Sequence, residues 1–254
     1  MYVNSTIAEG KAEKIGSVVL VGSGKGGVGK SALSVALARC LAASGARAGL
    51  LDADVHGSAM ASLPGLKAAP KAGKEGVAPA DWKGIAVMSA GMFADGGPVP
   101  VTGEDRRSLV TSLFASTDWG EVDFLVVDMP AGTGDEAMSL FRTFGGKARL
   151  LLVSQPSELS LAATARLAQL AKAEGVECAG AVLNMASKKG PFGKESAASA
   201  EKRLGCKVLA EVPFVEGAEG ELAVGGLEKE MEPVAEQLAG KPSARRRPAK
   251  KSRA

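Results

Sequence analysis

Along this chain, short apolar runs of strand length alternate with longer stretches in which apolar residues recur every three or four positions. Residues 17–22 (Ser-Val-Val-Leu-Val-Gly) are apolar and β-branched with no polar alternation. That is the pattern of a parallel strand buried on both faces. From Ser31 the period changes: Ala32, Leu33, Val35, Ala36, Leu37, Cys40 and Leu41 mark a helix, and Gly45 stops it. The runs 46–52 and 122–128 predict two more strands, each ending in an aspartate. Further strands are predicted near 85–89, 148–154, 176–183 and 207–212, and further helices near 104–117, 157–174, 193–204 and 227–239. Ser157 is placed as an N-cap and Gly175 as a stop for the helix at 157–174. The alternation predicts right-handed βαβ units and an α/β fold, a mostly parallel central sheet flanked by helices in three layers. Residues 64–82, rich in Gly, Ala, Pro and Lys, read as an exposed loop. No apolar run approaches ~20 residues, so no membrane insertion is expected.

The junction between the first strand and the first helix carries the most specific chemistry. Gly24-Lys25-Gly26-Gly27-Val28-Gly29-Lys30-Ser31 fits G-x-x-x-x-G-K-[ST], a loop whose backbone N–H groups wrap nucleotide phosphates. The helix that follows offers unpaired N–H donors and a positive dipole end. Lys30 is expected to reach the β- and γ-phosphates and Ser31 to ligate Mg²⁺, which makes the architecture a P-loop NTPase fold. Asp52, Asp54 and Asp128 stand at the carboxyl ends of predicted parallel strands, where open α/β sheets bind ligands. Mg²⁺ keeps several waters, so Asp52 and Asp128 are expected to act mostly through metal-bound water.

Lys25 together with Gly29-Lys30-Ser31 resembles the deviant Walker A motif of the MinD/ParA/Mrp class of ATPases, and most closely its Mrp (ApbC) branch. The matching pieces are 49–57 (Gly-Leu-Leu-Asp-Ala-Asp-Val-His-Gly), 119–135 (Trp-Gly-Glu-Val-Asp-Phe-Leu-Val-Val-Asp-Met-Pro-Ala-Gly-Thr-Gly-Asp), 180–185 (Gly-Ala-Val-Leu-Asn-Met) and 211–213 (Glu-Val-Pro). The resemblance covers roughly residues 15–240. It implies ATP hydrolysis with Mg²⁺ in a homodimer that closes face to face around two ATP molecules. It implies that Lys25 crosses to the partner's phosphates, that Asp54 orients the attacking water, and that Gly132 and Asp135 belong to a switch sensing the γ-phosphate. Asn184 and the Pro213 region would line the adenine. Catalytic weight then falls on Lys25, Lys30, Asp54 and Asp128, and nucleotide contact on residues 24–32.

Departures from the Mrp pattern are specific. Ala32 stands where a threonine is usual, removing a hydroxyl for the α-phosphate worth ~1 kcal/mol. Gly57-Ser58-Ala59 replaces Gly-Pro-Ser, and Thr102-Gly103-Glu104 replaces Arg-Gly-Pro. The C-x-x-C pair that iron–sulfur carriers bear after the Asn-Met segment is absent from residues 186–193. Cys40, Cys178 and Cys206 are far apart in sequence and read as buried small hydrophobes. Cluster ligation normally needs several thiolates, so a bound iron–sulfur cluster is doubtful. His56, beside Asp54, reads as an exposed loop histidine.

Few cysteines without framework spacing, and an N-terminus without a signal pattern, lead us to expect a cytoplasmic protein. Residues 1–14 read as an N-terminal extension, 15–240 as one ATPase domain and 241–254 as a basic disordered tail. That tail carries seven cations and no acid, whereas the whole chain is only +3, so the remainder is net acidic. If the tail met nucleic acid with all seven cations, log K would fall with log[salt] at a slope of roughly −6. Two functions follow. One is a Mrp-type ATPase serving iron–sulfur or metallocofactor assembly, with an assembly or client protein as partner. The other is a ParA/MinD-like organiser whose ATP dimer binds DNA or a protein.

Overall fold

The computed structural model describes residues 10–54, 60, 63–66, 70–73, 76–93, 103–187, 192–214 and 226–240. The candidate His56, the segment Gly57-Ser58-Ala59, Thr102 and the tail 241–254 lie outside the described residues.

The central strand is β1 (Ile15–Gly22), in which Val18, Val19, Leu20 and Val21 are all fully buried. The other strands are β2 (Ala48–Asp52), β3 (Lys71–Ala72), β4 (Val77–Ala78), β5 (Ala80–Trp82), β6 (Ile85–Ser89), β7 (Val122–Asp128), β8 (Ala148–Ser154), β9 (Glu177–Ala186) and β10 (Val208–Pro213). Eight of them form one sheet in the order β10-β9-β8-β1-β7-β2-β6-β5. Every neighbouring pair is parallel except β5 with β6. β3 and β4 pair separately as a short antiparallel hairpin.

The helices are α1 (Lys30–Ala43), α2 (Gly103–Ser116), α3 (Asp135–Phe144), α4 (Glu158–Ala173), α5 (Ala197–Leu204) and α6 (Glu228–Ala239). One apolar layer joins the sheet to α2, α3, α4 and α5 through Phe114, Phe141, Leu161 and Leu204. The other joins it to α1 and α6 through Leu33, Leu37, Leu41, Met231 and Val234. Both sheet faces are therefore covered, which is why the inner strands read as continuous apolar runs. The fold is the expected three-layer α/β architecture with a mostly parallel sheet. Among the described residues no helix is long and apolar enough to cross a membrane.

Local signals account for most element ends. The Ser157 side chain accepts the Ser160 N–H and caps α4, and Gly175 follows its last turn. Three features were not foreseen. α3 was not predicted, although Ala137, Leu140, Phe141 and Phe144 line its buried face. α5 starts at Ala197, not 193, because Ser196 caps it by accepting the Ser199 N–H. The segment 64–82, expected to be a loop, holds the β3–β4 hairpin and ends in strand β5, where Trp82 is 1% exposed and its indole N–H donates to Pro64 O.

Phe141 is fully buried in the layer between α3 and the sheet. Phe141→Ala is expected to lower stability by about 3–5 kcal/mol through lost burial and a residual cavity. Urea unfolding of both proteins measures it, and a loss below about 1 kcal/mol would show that α3 does not belong to the cooperative core.

Candidate functional site

All the parallel strands present their carboxyl ends on one edge of the sheet, and the phosphate-type loop starts there. β1 ends at Gly22, residues 23–29 turn back, and α1 begins at Lys30. Gly29 sits at the α1 N-cap in the left-handed region, φ 80°, a conformation that costs a glycine little. A side chain there would also strike Asn184, since an added Cβ would lie 2.2 Å from Nδ2. Gly24 is confined differently: its added Cβ would lie 2.1 Å from the carbonyl carbon of Ala163 in α4. Around Gly26 and Gly27, by contrast, nothing lies within 4 Å of an added Cβ. The loop is thus wedged at both ends and open in the middle.

Several polar groups fix it. The Asn184 Nδ2 donates to Val28 O at 2.7 Å, Gly24 N–H donates to Thr164 Oγ1 at 3.3 Å, and Ser23 Oγ donates to Lys25 O at 3.0 Å. Gln155 Nε2 lies 3.5 Å from Gly27 O. The first helical bond of α1 runs from Leu33 N–H to Gly29 O. The N–H groups of residues 29–32 therefore precede the helical ladder, which makes them natural anion donors.

Behind the loop lies a buried ionic cluster. Lys30 Nζ donates to Asp128 Oδ1 at 2.7 Å, with side-chain exposures of 7% and 1%. Ser31 Oγ donates to Asp128 Oδ2 at 2.5 Å. Ser34 Oγ, fully buried, lies 2.8 Å from Asp128 Oδ1 and 3.1 Å from Lys30 O. Sequence reasoning missed Ser34. Its signal is a hydroxyl one turn after Lys30 amid Leu33, Val35 and Ala36, all buried.

Asp52 and Asp128 are directly opposite on the neighbouring parallel strands β2 and β7, so both face the same side of the sheet. Ser89 Oγ donates to Asp52 Oδ2 at 3.0 Å, the Met60 N–H to the same oxygen at 3.3 Å and the Asp54 N–H to Oδ1 at 3.1 Å. Ser89, at the end of β6, is a second site residue that sequence reasoning missed. Asp54 lies just past β2 and is half-buried. The Gly132 N–H donates to Ser23 O at 2.8 Å, which ties the segment after β7 to the loop. Asp135 is exposed and opens α3. Lys25 and Ala32 are half-buried in and just after the loop, and Pro213 is exposed at the end of β10.

The donor set suits Mg²⁺, since Ser31, Asp52 and Asp128 offer hard oxygens and gather at one strand end. Among the described residues no group of three or more His, Cys, Asp or Glu side chains could hold a metal ion. Each of the three cysteines is half-buried, more exposed than the buried hydrophobe expected.

Comparison with known proteins agrees with this arrangement. Residues 14–238 match a family model described as NUBPL iron-transfer P-loop NTPase. The chain is 35% identical over 203 residues to an iron-sulfur cluster carrier protein of Bacillus subtilis, covering 76% of this chain and 57% of that protein. It is 34% identical over 214 residues to the mouse iron-sulfur cluster transfer protein NUBPL, covering 80% and 67% of the two chains. A nucleotide-binding protein from Archaeoglobus fulgidus, solved in complex with ADP, superposes with a TM-score of 0.74. It is 27% identical, and the match covers 91% of this chain and 95% of that one. The chain thus spans little more than half the length of the Bacillus relative.

The buried cluster sets an order of costs. Asp128→Ala leaves Lys30 buried without its counter-charge and is expected to cost about 3–5 kcal/mol. Ser34→Ala removes one hydrogen bond to a charged acceptor and is expected to cost about 1.5–3 kcal/mol. Denaturant unfolding of both variants checks the order, and a costlier serine change would mean that the ion pair does not hold the loop.

Proposed function

Because the chain belongs to the family of NUBPL-type iron-transfer P-loop NTPases, we propose that it is a cytoplasmic Mg²⁺-dependent ATPase serving iron–sulfur or metallocofactor assembly, with residues 15–240 as its nucleotide-binding domain. The observation that carries this reading is the Lys30–Ser31–Asp128 cluster beneath an open glycine loop at the carboxyl edge of a parallel sheet. In it, the loop N–H groups and Lys30 hold the phosphates. Lys30 has three N–H donors, so it can keep Asp128 while turning one donor outward. Bound Mg²⁺ would supply charge neutralisation between the phosphates, held by Ser31 and, through water, by Asp52 and Asp128. Asp54 holds the attacking water, and Gly132 with Asp135 answers to the γ-phosphate. Asn184 is engaged through Nδ2 with Val28 O, so it offers Oδ1 to the adenine amino group, with the Pro213 region alongside.

We take the active form to be a homodimer closed around two ATP molecules, with Lys25 reaching the partner's phosphates. The cluster itself is cargo. With no C-x-x-C at 186–193, the missing thiolates must come from a partner protein. The second reading, a ParA/MinD-like organiser, is favoured by the missing C-x-x-C and by the seven cations of residues 241–254.

Lys30→Ala is expected to abolish nucleotide binding or turnover. Lys25→Ala should leave ATP binding to the monomer intact while the ATP-dependent dimer, read by light scattering, disappears. An unchanged dimer and unchanged hydrolysis in Lys25→Ala would refute the face-to-face arrangement.

Anaerobic reconstitution with ferrous iron and sulfide, with and without a cysteine-bearing assembly protein, tests the cargo. Iron and charge-transfer absorbance retained only in the mixture support the proposal. No cluster in either sample, together with salt-sensitive DNA binding lost on deleting 241–254, would replace it with the organiser.

A further inference from the structure

Cys178 and Cys206 are distant in sequence but neighbours in the fold. Each thiol is close enough to the other to shift its ionisation. Cys178 lies near the start of β9, and Cys206 follows Gly205, the C-cap of α5. β9 and β10 run parallel with Val208 opposite Ala181, and the Ala181 N–H donates to Lys207 O at 2.8 Å. Followed back along that register, Cys206 falls opposite position 179, one residue from Cys178. Neighbouring strands lie about 4.8 Å apart. A disulfide needs about 4.4–6.8 Å between its Cα atoms.

Side-chain direction agrees with the spacing. The pairing of β9 with β8 skips from Cys178 to Gly180, a bulge that turns Cys178 and Ala181 to the same face. Cys178 and Cys206 both pack against the apolar layer under α4 and α5. Cys40 is remote from them, on α1 in the opposite layer, with its thiol against Glu228 O.

We propose that Cys178 and Cys206 are a redox-modification site, forming a reversible intramolecular disulfide at the β9–β10 edge of the sheet with a hydroperoxide as oxidant. Two thiols suffice for this bond, whereas a metal would need further ligands, and no such group exists among the described residues. The Cys178 thiolate attacks one oxygen of hydrogen peroxide, the O–O bond breaks, and sulfenic acid and hydroxide result. The Cys206 sulfur then attacks the sulfenic sulfur. The S–S bond forms, the S–O bond breaks, and the departing hydroxide leaves as water with the Cys206 proton. Two thiols and one peroxide give one disulfide and two waters, and the two sulfurs supply both electrons.

Proximity shifts the two thiols in opposite directions. The nearness of Cys206 draws the Cys178 thiol below its ordinary value, against the opposing effect of burial. The nearness of Cys178, with burial, pushes Cys206 up. The lower thiol, Cys178, is written as the attacking sulfur, and the disulfide that forms is the same whichever sulfur attacks first. Burial and the neighbouring Glu228 and Glu232 carboxylates push Cys40 up to about 11, which leaves it a poor competitor.

The test uses the full chain, reduced, treated with hydrogen peroxide, then denatured and alkylated. Alkylation is expected to fall from three thiols to one per chain, with the intact mass lower by two hydrogens before alkylation. Tryptic digestion without reductant should yield the peptide 173–188 linked to 204–207, and dithiothreitol should restore three thiols. Cys178→Ser and Cys206→Ser should each lose the change, and Cys40→Ser should keep it. The peptide map needs no variant, so a substitution that misfolds does not decide the result. Three alkylatable thiols after peroxide, a link through Cys40, or crosslinks only between chains would overturn the proposal.

Discussion

A carboxylate taken out of water keeps its charge only where a cation and donors replace the water. Asp128 draws all of them from one turn of one helix. Lys30, Ser31 and Ser34 of α1 converge on its two oxygens. A buried pair of this kind adds little net stability, because desolvation of both ions offsets their attraction. Its effect is to penalise alternatives. If α1 slipped by one residue, Lys30 would leave Asp128 and a charge would stand unpaired in a core where Asp128 is 1% exposed. The cluster therefore fixes α1 against the end of β7. Because β7 pairs with both β1 and β2, it also fixes the loop and Asp52 relative to one another.

That constraint explains why the loop can be both open and exact in position. Its middle, at Gly26 and Gly27, has no neighbour within 4 Å of an added Cβ. Its ends are held by backbone contact with α4 at Gly24 and by Asn184 at Gly29. Asn184 belongs to β9, three strands from β7 across the sheet. The loop is thus clamped from both sides of β1, by α1 and Asp128 on one and by β9 and α4 on the other. A ligand meeting the loop finds donors already oriented, so less of its binding energy is spent on ordering them.

The sequence announced the parts of this arrangement that depend on local rules. β1, β2 and β7 showed as apolar runs because both sheet faces are covered, and the N-cap of α4 was legible as Ser157. The loop and Asp128 were legible because glycines, a lysine and a strand-ending acid obey fixed spacings. The losses were of a different kind. α3 carried no clear start signal, because it begins after Gly134, which offers no side-chain cap, and its three-to-four apolar spacing starts only at Ala137. Ser34 and Ser89 carry no local signal for function, since a serine in a helix or at a strand end is ordinary. They matter because tertiary structure aims them at Asp128 and Asp52. β5 was hidden by the glycine- and proline-rich residues before it, although Trp82 in a supposed loop was the available hint. The adjacency of Cys178 and Cys206 was invisible for the same reason as Ser34, since it arises from strand pairing across an α-helical crossover.

The cysteine geography bears on how nucleotide and cargo chemistry could be joined. Cys178 stands six positions before Asn184 on β9. At about 3.3 Å per residue, roughly 20 Å separates the thiol pair from the asparagine that braces the loop. The thiols therefore sit toward the amino end of the sheet, and the phosphate-type loop at its carboxyl edge. No thiol of this chain described here reaches the nucleotide edge, since Cys40 faces α6 through its contact with Glu228. In the proposed ATPase, iron chemistry close to the nucleotide must then be brought by a second protein. In that proposal, the contribution of this chain is a change of shape that nucleotide imposes on the loop and on the segment from Gly132 to Asp135. β9 touches both ends, with Asn184 on the loop and Cys178 beside Cys206. A bond that locks β9 to the turn before β10 would act on the same strand that braces Val28.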